Sequence, residues 1–452
     1  MSNGLPENDL LGKRAVVIGG SIAGMLAARV LSDFFVEVII IEKDKMTDQH
    51  LTRTGVPQGS HGHALLKSGE EILNDLFPGI VEELIEAGSV KSDFASELAW
   101  NHHGSWKVKY QAGMSIIQQS RPFLESHIQR RLKQIPNISF IYETKAKKLL
   151  LNTDQLQIDG IMIQKEEKMD QEIKADLVID AAGAGSQTSS WLKQLGYQAP
   201  AKTEVKVDLF YASRIYRSLS SEKKDWSSLL VYPNPPSQNR GGGIFPIENQ
   251  RWMVTLLGYG VDSPPNSGDE FLKYASSLEK LDVYDAIKEG QPETDVAIYR
   301  FPALRRFHFE KLSHFPNRLL VMGDAFCRMD PVFGQGMSIS ALEAVALKNE
   351  LQKAVQKNGL TQISIQTHRC FSKIIDIPWL IALTEDFRFT NTVGKKPAGL
   401  PFLMWYVKKV ILACETNEAV YGKLINVLQL KAHPFTLFSP ATLKAVLFQP
   451  RS

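Results

Sequence analysis

The stretch KRAVVIGGSIAGMLAARVLSDFFVEVIIIEKD, residues 13–44, decides the fold. Ala15–Ile18 is a short apolar run, Gly19-Gly20-Ser21-Ile22-Ala23-Gly24 makes a tight turn, Met25–Leu31 carries helix formers, and Val36–Ile41 is a fully apolar strand with Glu42 at its end. Strand, glycine turn, helix and strand open a parallel α/β unit. A turn with glycine at its first, third and sixth positions lets a pyrophosphate approach the backbone and sit on the helix N-terminus. Gly19 and Gly24 hold the first and sixth positions, and Ser21 replaces the middle glycine. An acid about 20 residues further on takes a ribose hydroxyl, and Glu42 stands there, which favours FAD or NAD over NADP. The residues expected at this end of the cofactor are Gly19, Ser21, Ile22, Ala23, Gly24, Glu42 and Lys43.

Outward from this unit, composition excludes several classes. Of 452 residues, 44% are apolar and 22% charged, as in globular enzymes, so disorder and a multi-pass membrane protein are both unexpected. Lys and Arg (52) nearly balance Asp and Glu (49), leaving +3 in scattered charges, and no nucleic-acid surface is expected. Cys327, Cys370 and Cys414 lie far apart with no metal-ligand spacing, so neither a disulfide framework nor a structural metal is expected. Residues 1–14 have no apolar or arginine-rich leader pattern, which gives a cytoplasmic protein as the expectation.

A second anchor lies three hundred residues on, in NRLLVMGDAFCRMDPVFGQGMSIS, residues 317–340. It reads as a strand at Leu319–Met322, Gly323-Asp324, a proline-containing loop, then Gly334-Gln335-Gly336 opening a long helix. Paired with the N-terminal turn, this segment resembles the flavin monooxygenase family that includes aromatic hydroxylases and squalene-type epoxidases. The resemblance implies FAD, with Asp324 on its ribityl or ribose-side hydroxyls and Pro331, Gly334, Gln335, Gly336 and Met337 at the flavin. A helix N-terminus suits the anionic reduced ring, because its unpaired N–H groups carry about half a positive charge. A third match is Ser120-Arg121-Pro122-Phe123-Leu124-Glu125 at a helix start, where the family has an arginine at the FAD phosphates, here Arg121. The strand after Ile138–Glu143 places Ala146 near adenine in the same comparison.

The family's Asp-Gly pair is altered. In Leu177-Val178-Ile179-Asp180-Ala181-Ala182-Gly183, Ala182 stands where the aspartate is expected, which leaves open whether NADPH or NADH reduces the flavin directly or through a separate flavin reductase. Together with Arg53, Gly59-Ser60-His61-Gly62-His63 and the Gly241–Gly243 and Arg251–Val254 segments, this departure resembles the bacterial flavin epoxidases of polyether polyketide assembly. Arg53, His61 and His63 are expected to line the flavin or the substrate entrance. No acid or cysteine cluster accompanies the two histidines, so a metal is not expected.

The fold class expected is α/β: a Rossmann-like FAD-binding domain of the glutathione-reductase type, an antiparallel-sheet substrate domain and a helical C-terminal region. The FAD-binding domain is expected at 1–85, 115–200 and 300–358, the substrate domain at 86–114 and 201–299, and the helical region at 359–452. Thr203–Tyr216 alternates as a half-buried strand, Gly243–Ile247 and Arg251–Leu257 read as a hairpin, and 221–240 and 261–270 read as loops. The apolar patch at Pro401–Val407 is broken by Lys408-Lys409 and is too short to span a bilayer, which leaves a packed helix or weak peripheral membrane contact.

The expected function is an FAD-dependent monooxygenase that uses O₂ to epoxidise or hydroxylate a large apolar alkene, polyketide or terpenoid through a flavin C4a-hydroperoxide. The cofactor carries such chemistry, so no catalytic side chain is assigned. The alternatives are a flavin-dependent double-bond reductase, a halogenase, or a flavoprotein whose FAD is structural.

Overall fold

The computed structural model describes residues 10–45, 57–165, 169–217, 224–260 and 263–447. Arg53 lies outside the described residues. The N-terminal unit folds as its residue pattern requires. Strand Gly12–Ile18 leads through helix Ile22–Leu31 to strand Phe35–Ile41. The inner residues of both strands are apolar and buried, as they must be when a parallel sheet is covered on both faces.

Five parallel strands form this sheet in the order Leu319–Val321, Leu177–Asp180, Gly12–Ile18, Phe35–Ile41, Ile138–Ile141. The register decides the function of the edge. Ile18 pairs with both Ile41 and Asp180, and Asp180 pairs with Val321. The residues that follow, at positions 19, 42, 181 and 322, therefore emerge side by side, and segments three hundred residues apart meet at one carboxyl edge, where α/β sheets bind ligands.

A larger antiparallel sheet is built on the long strand Lys202–Arg217, which pairs with Arg251–Tyr259 on one side and Ala297–Phe307 on the other. Beyond Arg251–Tyr259 lie Arg240–Ile247, Ser228–Val231 and Leu98–His102. Asn249 and Gln250 in the hairpin turn both have positive φ, at 63° and 55°, the conformation that lets paired strands keep their twist. Two loop expectations are corrected. The 221–240 segment contains strand Ser228–Val231, whose SLLV run pairs parallel with Leu98–Asn101. Likewise 261–270 ends in helix Gly268–Ala275, capped by Ser267 accepting from the Glu270 N–H.

Helices Ile363–Asp386, Leu400–Ala413, Glu418–Leu428 and Pro440–Leu447 complete the described chain. The last three contribute Tyr406, Val410, Tyr421, Leu424 and Val446 to a buried cluster with Leu98 and Trp100 of the large sheet. Among the described residues no helix is long and apolar enough to cross a membrane.

Candidate functional site

Two cavities meet at the carboxyl edge of the parallel sheet. The first, of about 620 Å³, runs along the glycine turn, Glu42 to Asp44, Arg121, Thr144 to Ala146, Ala181 to Gly185, Asp324 and the start of the helix Gly336–Gln356. Gly19 has φ of 103°, and a Cβ there would lie 2.5 Å from the Ala181 carbonyl oxygen. A Cβ at Gly24 would lie only 1.8 Å from the Gly19 carbonyl oxygen, so this helix packs against its own turn in a way only glycine permits.

Ser21, which replaces the middle glycine, is bound into a side-chain network. Its Oγ donates to Glu125 Oε1 at 2.6 Å and accepts from Arg121 Nη2 at 3.0 Å, while Arg121 Nε donates to the same Glu125 oxygen at 3.0 Å. Arg121 is the first residue of the helix Arg121–Lys133, whose N-cap Ser120 accepts from the Phe123 N–H. Ser120 is itself held by Glu248 of the hairpin turn, which accepts from its N–H at 2.9 Å and its hydroxyl at 2.8 Å. The large sheet thus fixes the arginine beside the glycine turn.

Glu42 is buried, and its two oxygens accept from the Gly20 N–H at 2.8 Å and the Asp44 N–H at 3.0 Å. Lys43 is exposed at the cavity rim, and Ala146 lies in strand Thr144–Leu151 on the cavity wall. Asp324 sits in the turn Gly323–Ala325, which packs so closely that a Cβ on Gly323 would lie 2.7 Å from that of Ala23. Burial pushes the Asp324 carboxyl above its ordinary range, against the pull of Arg328 and Arg121. Ala182 lines the cavity with its N–H turned back to Asp180, whose other oxygen accepts from Ser186 and Thr188 at 2.5 Å each. Asp180 is buried and closes this loop rather than facing the cavity.

At the far end Gly334 is left-handed, with φ of 62°. The helix starts at Gly336 with Gln335 as N-cap and no side-chain cap, so its first N–H groups have no partner in the helix. A Cβ at Gly336 would meet nothing within 4 Å. Pro331, Gln335 and Met337 line the same end.

These observations fit a dinucleotide flavin. The turn admits a pyrophosphate beside Arg121, Asp324 offers a carboxylate for which no protein hydrogen bond is found among the described residues, and the uncapped helix start offers N–H groups to an anionic ring edge.

The second cavity, of about 470 Å³, is walled mainly by apolar side chains: Phe94, Leu98 and Trp100, Phe245 and Leu257, and Leu380, Tyr406 and Phe438 from the C-terminal helices. Gly62 to Ala64, Pro331, Gly334 and Gln335 line both cavities. His61 and His63 have different surroundings. His61 is buried outside both cavities, 2.7 Å from Ser213 Oγ, which in turn is 2.7 Å from Thr255 Oγ1. His63 faces both; its Nδ1 donates to the His61 carbonyl at 2.8 Å, which leaves Nε2 to accept from Arg121 Nη1 at 3.5 Å. Burial and the adjacent Arg121 hold His63 down to about 3, so it stays neutral at physiological pH.

Two clusters here have no counterpart in the motif reading. His102 Nε2 and His103 Nε2 stand 2.9 and 3.2 Å from the two oxygens of Glu385, and Arg388 Nη1 donates to Glu385 at 2.6 Å. Burial works against ionisation of Glu385, yet His102, Arg388 and His103 hold it well below its ordinary range. His102, His103 and Glu385 have ligand spacing for a metal, but Arg388 already neutralises the carboxylate. In the second cluster Asp330 and Asp386 are buried together, and burial and Asp330 push Asp386 well above its ordinary range. Two neighbouring buried carboxyls resist ionising together, and Asp330 accepts from the Tyr259 hydroxyl at 3.1 Å and the Val332 N–H at 2.8 Å.

Known proteins place this architecture. A family described as FAD binding domain matches residues 13–363. Protein Rv3254 of Mycobacterium tuberculosis is 30% identical over 406 residues, covering 86% of this chain and 84% of its own. The FAD-dependent monooxygenase pyr5 of Aspergillus fumigatus is 22% identical over 385 residues, covering 75% and 72%. The crystal structure of p-nitrophenol 4-monooxygenase PnpA from Pseudomonas putida superposes with a TM-score of 0.66 over 94% of this chain and 100% of its own, at 14% identity, a likeness of fold.

Proposed function

We propose that the chain, which belongs to the FAD binding domain family and is similar to the FAD-dependent monooxygenase pyr5, is a monooxygenase that epoxidises or hydroxylates a large apolar substrate. A single observation carries this reading: an apolar cavity of about 470 Å³ abuts the cofactor cavity at the start of the helix Gly336–Gln356 and shares its wall. When bound, FAD supplies activation of O₂. The chain's own residues hold and shield. Arg121, braced by Glu125 and Ser21, presents its charge to the pyrophosphate; Asp324 accepts from a cofactor hydroxyl; the free N–H groups at 335–338 favour negative charge on the ring edge. The apolar wall excludes water and gives a hydrocarbon its affinity, at about 25 cal/mol per Å² of apolar surface buried.

In this reading residues 1–85, 115–200 and 300–358 serve FAD, 86–114 and 201–299 the substrate, and 359–452 close the substrate cavity. Closeness to polyether epoxidases, and so an alkene substrate, is the finer form of the proposal. NADPH or NADH is the source of electrons, and the alanine at position 182 supports delivery through a separate flavin reductase.

The test supplies reduced enzyme with ¹⁸O₂ and a panel of polyenes, terpenoids and simple phenols. Substrate-dependent O₂ uptake with one labelled oxygen in a polyene or terpenoid product is expected. Double-bond saturation without O₂ uptake would move the protein to the reductases, and coupled hydroxylation of phenols alone would replace the apolar substrate.

A further inference from the structure

The mouth of the apolar cavity can be located from its own lining. Of the residues that wall it, Asp376, His433 and Phe435 are exposed, so it opens between the helix Ile363–Asp386 and the turn Pro434–Phe438. Asp376 is paired with Arg306 at 2.7 Å and carries no free charge there. Phe435 stands 76% exposed at this opening.

The neighbouring helix Leu400–Ala413 continues the apolar rim. Tyr406, Val410 and Ala413 are buried on one side, while Phe402, Trp405, Lys408 and Lys409 are exposed on the other, Phe402 by 56% and Trp405 by 46%. Phe402 and Trp405 lie together with ring centroids 5.7 Å apart, Phe402 lies 6.3 Å from Tyr406, and Tyr406 stacks at 4.4 Å on Phe438. Tyr406 and Phe438 line the cavity. A continuous aromatic surface therefore runs from solvent into the cavity wall. No acid pairs with Lys408 or Lys409 among the described residues.

We propose that this face docks on the surface of a bilayer carrying anionic headgroups, with the cavity mouth turned to the lipid. The residue types commit the surface to that occupant. Aromatic side chains bury at the interface between headgroups and acyl chains, and lysines one turn away reach the headgroup phosphates along their alkyl stems. A protein partner would need shape complementarity, whereas a bilayer needs only this amphipathic order. No described helix is long and apolar enough to cross, so the contact is peripheral. What enters through the mouth rests on the reading of the cavity as an apolar-substrate site; the docking itself does not.

The experiment uses the full FAD-loaded chain and cosedimentation with phosphatidylcholine vesicles with and without phosphatidylglycerol. The wild type should bind the anionic vesicles and release with salt. Each lysine near such a surface is worth about 1 kcal/mol, so K408Q/K409Q should lower the partition coefficient roughly 30-fold at low salt, and F402S/W405S should reduce it at least as much. Bound FAD and circular dichroism should be unchanged in both variants. Wild type left in the supernatant with both vesicle types, or F402S/W405S binding as the wild type does, would overturn the proposal. So would sedimentation velocity showing a dimer lost in F402S/W405S with no vesicle binding, which assigns the face to a second copy. Vesicle binding by a protein that oxygenates nothing would sink the proposed function and leave the docking standing.

Discussion

Glu343 offers a perturbation whose size can be worked from the structure. It lies in the middle of the helix Gly336–Gln356, fully buried, with Oε2 accepting from the Gly323 N–H at 2.8 Å and Oε1 without a partner. Burial, opposed by that N–H and aided by the nearby Asp324, pushes its carboxyl from an ordinary 4.5 up to about 8. The folded state therefore holds a proton that the unfolded chain releases above about 4.5. Stability is greatest below that value and falls by about 1.4 kcal/mol per pH unit until about pH 8, a loss of about 3 kcal/mol by pH 7. Glu343→Gln keeps the acceptor for Gly323 and removes the titration. Its amide inherits the unpartnered position, at a cost of about 1–3 kcal/mol that does not vary with pH. The variant should therefore be no more stable than the wild type at pH 5 and should gain on it steadily as pH rises to 8, with no further gain above. Thermal unfolding of both proteins across pH 5 to 9, in the same buffers, measures this difference. Parallel curves would refute the reasoning, because they would mean that Glu343 ionises in the fold as it does in the unfolded chain.

Other outcomes follow from the same geometry. Asp324→Ala should release FAD about tenfold more readily, as loss of a hydrogen bond to a charged acceptor implies; flavin fluorescence on dilution checks this, and an unchanged affinity would remove Asp324 from the cofactor. Gly24→Ala, with its Cβ 1.8 Å from the Gly19 carbonyl oxygen, should prevent stable folding, whereas Gly336→Ala, which meets no protein atom within 4 Å, should leave the melting temperature without FAD unchanged and alter FAD affinity; equal behaviour of the two would show that the open space at Gly336 is not cofactor space. With Ala182 at the cavity, stopped-flow reduction by NADPH alone should be slow, and fast saturable bleaching would show that no separate reductase is needed.

How much of this was legible depends on how far each signal acts along the chain. The glycine turn at Gly19–Gly24, the Gly323-Asp324 strand end and the left-handed Gly334 are demands of the local backbone, and such demands are written in adjacent residues. Ser21 was legible only as a missing glycine; that its hydroxyl joins Arg121 to Glu125 follows from the approach of a helix 100 residues away. Glu125 could have been found, since it stands four residues after Arg121, the spacing that puts two side chains on one helix face. His102 and Glu385 could not, because 283 residues separate them and nothing around either has ligand or catalytic spacing. Strand Ser228–Val231 was hidden for a related reason: its partner Leu98–Asn101 lies 130 residues upstream, and four apolar or small residues among serines and prolines carry too little period to be read alone.

The strip formed by residues 62–64, 331, 334 and 335 belongs to both cavities, and this common wall makes the two occupants thermodynamic partners. Whatever rearrangement of His63 or Gln335 one ligand induces is presented to the other. If the apolar ligand tightens cofactor binding by some factor, the cofactor must tighten the apolar ligand by that same factor. Such coupling would turn two separate affinities into a single cycle, in which the emptiness of the apolar cavity is a property the occupant of the other cavity can sense.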